Sequence, residues 1–279
     1  MALAGALGLG RFSRLHARGI PGVCVGIMDG ILGYSCQPEA VALAARLGFQ
    51  GIQVTLGRAV TPGRLRLSNT VLQAQFREAA AEHKVALAST YLDVLHVNCL
   101  KNDPLAPHWI REGIAITKAL NAGILMLVFF GKCSLESRAD CDAVVKPLQA
   151  AAHEAQNAGI VLGFENTLSA KDNMRVLEQV GSPALKVWYD IGNFTNIGHY
   201  DVPAEIRALG GERICQFHIK DKGYLGEGDV KVGACLQAIA DIGFRGFTML
   251  ETAVPSGNRL ADAARNLGIY RKLMGDVHV

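Results

Sequence analysis

The chain has 279 residues, half of them hydrophobic, and its 28 Lys and Arg against 25 Asp and Glu give a formal charge of +3. That length admits one large domain or two small ones, and near-balanced charge with no basic block beyond the N-terminal arginines argues against a nucleic-acid groove. No stretch approaches the roughly 18 uninterrupted apolar residues of a membrane span.

Residues 1–22, MALAGALGLGRFSRLHARGIPG, contain no acid and are rich in Ala, Gly, Leu and Arg. Their apolar stretch is short and no basic residue precedes it, so they read as a flexible N-terminal extension, with a targeting remnant as the second reading. From Val23 to the C-terminus, short apolar runs at 23–28, 51–56, 85–90, 124–130, 160–165, 185–190, 214–219 and 247–251 alternate with segments of helical period. PEAVALAARLGF shows the expected helix punctuation, Pro38 before it and Gly48 after it. LGFQGIQVTL and IGFRGFTMLET are near copies, which ties the second strand to the eighth. Eight strand and helix pairs over 23–279 predict a single-domain (β/α)8 TIM barrel. The competing open doubly wound sheet expects a glycine-rich phosphate turn after its first strand, and MDGILGYSCQP holds no GxGxxG. Seven scattered cysteines, 24, 36, 99, 133, 141, 215 and 235, form no CxxC pair and read as reduced thiols of a cytoplasmic protein.

Four of the later runs end in a polar residue: Glu165 in IVLGFEN, Asp190 in LKVWYDIGN, His218 in ICQFHIKD and Glu251 in FTMLET. A charged group closing a core strand is costly unless paired, hydrogen-bonded or metal-bound. In a barrel all four converge on the C-terminal mouth, where active sites lie. Three carboxylates and an imidazole suit a divalent cation, Mn²⁺ first, with Mg²⁺, Co²⁺ or Zn²⁺ also matching the donors. Side-chain alternation places Lys220 and Gln216 on the face of His218, Trp188 on that of Asp190, and Gln53 on that of Thr55. Lys220, Gln53, Asn193 and His199 are the substrate-side candidates. A cation that polarises a carbonyl acidifies the neighbouring C–H. Glu165 and Glu251 on different strands can then remove and return the proton, which gives an enediolate and hence epimerisation or isomerisation of a small sugar.

The segments GFEN, WYDIGN, FHIKD, LGEGDV and IGFRGFTMLET resemble the sugar-phosphate isomerase/epimerase group of xylose-isomerase-like TIM barrels, over residues 23 to 274. That group includes ketose 3-epimerases, hydroxypyruvate isomerase and inosose dehydratase. The resemblance implies Glu165, Asp190, His218 and Glu251 as metal ligands, with Glu165 and Glu251 as the acid/base pair and 225–230 as a loop bordering substrate. Two positions depart from the ketose 3-epimerases: Asn193 stands where they carry a substrate-contacting histidine, and Tyr224 where they carry an arginine. Asn193 also counts against the three-zinc endonuclease branch. The second reading is a lyase in which the same proton abstraction expels a β-hydroxyl, as in inosose dehydratase. A third is a barrel without catalysis that binds a sugar or a partner, and a homo-oligomer stays open.

Each residue has a plainer role to set beside these. Glu165 and Glu251 could be structural ion pairs, Asp190 a cap for the turn IGNFTN, His218 a satisfied core histidine and Lys220 a snorkelling side chain. His96 reads as a surface or loop residue. Phe129 and Phe130 read as lining the barrel and its mouth.

Overall fold

The computed structural model describes residues 20–58 and 63–278. The extension expected over 1–22 falls outside this range except at its last three residues, of which Ile20 is buried and accepts from Val23 N. Eight parallel strands close into one barrel in sequence order. They are β1 (Val23–Met28), β2 (Gly51–Thr55), β3 (Ala86–Leu92), β4 (Ile124–Val128), β5 (Val161–Glu165), β6 (Leu185–Asp190), β7 (Ile214–Ile219) and β8 (Gly246–Leu250).

The outer helices start and stop where the local chemistry directs. Helix α1 (Glu39–Leu47) follows Pro38 and ends at Gly48, whose left-handed φ of 91° suits a residue without a side chain. Helices α2 (Thr70–His83), α3 (Ala106–Ala119), α4 (Arg138–Ala158) and α5 (Ala170–Val180) come next in the chain. Ser137 and Asp140 form a reciprocal capping box on α4. Between β6 and β7 the sequence reading expects one helix, but the structure has two, a short α6 (Ile191–Asn196) and α7 (Val202–Leu209). Helices α8 (Val232–Asp241) and α9 (Arg259–Gly275) complete the ring.

Strand register carries one inward face round the barrel. Met28 pairs with Gln53, Tyr91 with Met126, Met126 with Gly163, Glu165 with Trp188, Asp190 with His218, and His218 with Met249. Since paired residues share a face, these side chains form stacked interior layers. The floor under the mouth is built by pairing glycine with bulk. A Cβ added at Gly163 would stand 2.9 Å from the Trp188 ring, and one at Gly26 would stand 2.6 Å from Met249 Sδ. Phe129 falls on the other face, packed against Phe164 at 4.8 Å between ring centres, so only Phe130 reaches the mouth region. That corrects the expectation for Phe129, and strand alternation past Val128 is the reason.

The cysteine reading also needs correction. Cys99 and Cys133 are joined in a disulfide that ties the loop after β3 to the loop after β4. The partners lie 34 residues apart in sequence, so no short spacing motif announces them. With this pair oxidised, the thiols no longer argue for a reducing compartment. Cys24, Cys36, Cys141, Cys215 and Cys235 are free. No described helix is long and apolar enough to cross a membrane.

Candidate active site

The four strand-end residues meet at the C-terminal mouth, with one potential ligand atom from each lying within 4.8 Å of all the others. His218 Nδ1 is the hub: it lies 2.9 Å from Glu165 Oε1, 3.1 Å from Glu251 Oε2 and 3.7 Å from Asp190 Oδ2. Three of the residues are closed off from solvent, while the Glu251 side chain, one residue beyond β8, stays 28% exposed. Glu251 is thus the member that faces incoming molecules.

Asp190 divides its carboxylate between two tasks. Oδ1 accepts from the amides of Gly192 and Asn193 and caps α6. Oδ2 points to the cluster and is buried without a hydrogen bond of suitable angle, although Lys220 Nζ makes an ion contact with it at 2.7 Å. Capping and ligation were alternatives on sequence grounds, and the geometry accommodates both. Lys220 also donates to Glu251 Oε2 at 2.9 Å. Its stem runs across Gly192, where an added Cβ would stand 2.5 Å from Lys220 Cγ. The glycine of WYDIGN therefore makes room for the lysine of HIKD.

The electrostatics follow from packing like charges around few cations. Burial pushes Glu165 up to about 6, opposed by the charge of His218. For Glu251 burial pulls the same way, but His218 and Lys220 outweigh it and hold the carboxyl well below the usual range. Burial alone would lower His218, yet the Glu251 and Glu165 charges keep it well above an ordinary histidine. Lys220 is likewise raised against burial, chiefly by Asp190 and Glu251. The cluster thus attracts cations. An oxygen-rich donor set with one imidazole, a buried carboxylate oxygen lacking a hydrogen bond, and mutual spacing below 5 Å all fit a divalent ion.

The other substrate-side candidates separate. Gln53 is fully buried beneath the cluster, with Oε1 2.9 Å from His218 Nε2. Asn193 is half-buried beside it and engages Asp190 through its backbone amide. His199 is exposed in the turn after α6 with φ of 54°, and the structure does not bring it into the cluster. Tyr224 donates to Asp262 Oδ1 at 2.6 Å, with the Arg265 guanidinium 3.6 Å from its ring centre. It therefore turns toward α9.

Several groups at the mouth escape the sequence reading. Tyr91 Oη is 2.7 Å from His96 Nε2, and the His96 ring lies 6.2 Å from that of Phe130. Burial and the charges of Glu165, Asp93 and Glu251 raise the Tyr91 hydroxyl, so this unit borders the cluster and His96 is no mere surface residue. Tyr91 lies one residue beyond the apolar run 85–90, and its place on the inward face follows from its pairing with Met126. Asp221 organises the loop 221–230 by accepting from the amides of Lys222, Gly226, Gly228 and Val230. A Cβ at Gly228 would collide with the Asp221 carboxylate, which explains the glycine in GEGD.

A closed (β/α)8 barrel with a carboxylate and imidazole cluster at the C-terminal strand ends defines a TIM-barrel protein with an active-site arrangement. Residues 41–273 match the family of xylose isomerase-like TIM barrels, and the chain belongs to it. Over 186 residues it is 28% identical to a 2-epi-5-epi-valiolone 7-phosphate 2-epimerase of an Actinoplanes species, covering 65% of this chain and 67% of that protein. Among solved structures, a D-allulose 3-epimerase from Methylomonas sp. superposes with a TM-score of 0.72 at 19% identity, covering 91% of this chain and 99% of that one. A xylose isomerase domain protein from Planctomyces limnophilus gives 0.75 at 18% identity, covering 92% and 99%. At these identities the two structures speak to the fold.

Proposed function

We propose that this chain is a divalent-metal-dependent isomerase or epimerase of a small sugar or sugar derivative, acting by proton abstraction beside a carbonyl through an enediolate. The observation that carries the reading is the convergence of three carboxylates on His218 Nδ1, all within 3.7 Å, at the mouth of the barrel. Glu165, Asp190, His218 and Glu251 would hold the cation, with Mn²⁺ the first expectation. The bound ion supplies Lewis acidity to a substrate oxygen and so lowers the barrier to removing the adjacent proton. Glu251, the exposed member, takes that proton, and Glu165 serves as its partner in returning one. Lys220 keeps Glu251 ionised and fixes its orientation. Trp188 closes the floor, which confines the substrate to the mouth side.

The likeness to a 2-epimerase supports proton transfer at carbon, and its named substrate is a phosphate. Phosphorylated compounds therefore belong in the screen with ketoses, keto-sugar derivatives and inososes. Each would be incubated in D₂O with each metal and followed by proton NMR. Deuterium entering at carbon without loss of water is the expected result. A protein that binds none of Mn²⁺, Mg²⁺, Co²⁺ and Zn²⁺ overturns the reading. One observation favours the lyase alternative: Lys220 Nζ stands 2.9 Å from Glu251 Oε2, where its charge would steady a departing hydroxyl that takes its proton from the glutamate pair. A dehydrated product in the same experiment would select it.

A further inference from the structure

We infer that Gln53 is a positioning residue for the cation, because it determines which ring nitrogen of His218 presents a lone pair to the cluster. The inference rests on the metal reading above. A neutral imidazole carries one N–H, and the nitrogen that keeps it cannot bind a metal. Here Nδ1 points among the carboxylates while Nε2 lies 2.9 Å from Gln53 Oε1. Which end of the Gln53 amide faces the ring is fixed by its other neighbour. Gln53 Nε2 is 3.4 Å from Met126 Sδ, and a thioether has no hydrogen to donate. A carbonyl oxygen in that place would face sulfur lone pairs, so the amino group belongs there and the carbonyl faces His218. On the neutral ring that a cation requires, Nε2 therefore keeps the proton, and Nδ1, whose hydrogen bond to Glu165 gives way to the ion, presents the lone pair.

Both Gln53 and His218 are fully buried, so solvent does not substitute for the amide. The Trp188 ring, 4.8 Å away edge to face, holds the plane of the imidazole. Metal-bound histidines commonly use a carboxylate as the acceptor of the second N–H. A neutral amide performs that task here without adding a fourth negative charge beneath three carboxylates. Strands β4, β2 and β7 thus each contribute one member of a chain, Met126 to Gln53 to His218, that ends at the site.

The test is calorimetric titration with Mn²⁺ of the wild type, Gln53→Met and Gln53→Glu, with thermal unfolding as the check on folding. Gln53→Met, similar in size but without an acceptor, should lose about tenfold or more in affinity, as removal of an outer partner of a ligand does. Gln53→Glu, which keeps an acceptor at that place, should bind Mn²⁺ at least about tenfold more tightly than Gln53→Met. A folded Gln53→Met that binds as the wild type does would overturn the inference, as would equal losses in both variants, which would mark a packing role. Independently of variant folding, nitrogen-15 NMR of histidine-labelled wild type with Zn²⁺ should place the proton on Nε2 of His218, and a proton on Nδ1 refutes the inference. If the wild type takes up neither ion, the metal reading itself fails, a result distinct from normal binding that Gln53 does not affect.

Discussion

Asp29, just beyond β1, and Glu165, at the end of β5, are buried carboxylates that both sit at about 6, and burial is the leading cause for each. Their surroundings differ. Asp29 is satisfied by neutral donors: Oδ2 accepts from the amides of Cys36 and Thr55, and Oδ1 from the Thr55 hydroxyl at 2.6 Å. Glu165 has His218 as its hydrogen-bonding side chain and stands among the charges of Glu251 and Asp190. The same division runs through the barrel. The half from β1 to β4 ties its loops with hydrogen bonds and a disulfide, while the half from β5 to β8 gathers charge. A displaced carboxylate pKa therefore marks burial; a site is marked by oxygen atoms that the protein's own donors leave free.

Removing the characteristic element of each region, a charge from one and the disulfide from the other, separates them most widely. Glu251→Gln should cut deuterium uptake by substrate about 10³-fold or more while leaving the thermal midpoint close to the wild type. Uptake preserved in this variant would move the proton-transfer role to another residue. Replacing both Cys99 and Cys133 by serine should cost about 3 kcal/mol in urea unfolding, since the bridge closes a long loop of the unfolded chain. Mn²⁺ affinity should be unaffected, because the bridge lies on the side of the mouth that supplies no ligand.

Asp29→Asn sharpens the contrast through pH. The folded-state pKa is raised from 3.8 to about 6. Its stabilising contribution is therefore complete below pH 3.8 and disappears as pH rises through 6. The stability of the wild type relative to Asp29→Asn should fall by up to about 3 kcal/mol between those limits, while the two proteins match each other in metal affinity at each pH. A flat difference across that range would contradict the assignment of Asp29 as a buried carboxyl. The smallest effect is expected from Gly163→Ala, which crowds Trp188 and should cost about 1–3 kcal/mol in thermal unfolding.

The barrel was legible because its strands are buried on both faces and separated by helices with ordinary caps. Strand bounds agree with the periodicity to within about two residues at most ends. Glu165, Asp190, His218 and Glu251 stood out because each closes an apolar run and all share one end of the barrel. Asp29 closes the run VCVGIM in the same manner, and its different fate depends on Thr55 and Cys36, which only folding brings near. The disulfide was hidden for a related reason: two loops meet across neighbouring strands, and nothing local records it. Alternation indicated that Gln53 shares a face with the site, but not that it lies beneath His218. His199, a substrate-side candidate by sequence, is exposed in the turn that follows the separate short helix α6.

The divided carboxylate of Asp190 joins the start of α6 to the contents of the mouth. Anything that draws electron density from Oδ2 weakens Oδ1 as an acceptor for the Gly192 and Asn193 amides, and by reciprocity a frayed α6 changes the affinity of Oδ2 for a cation. Those two amide protons are therefore an internal gauge of occupancy. Their chemical shifts and exchange rates would register filling of the site without any substrate being identified.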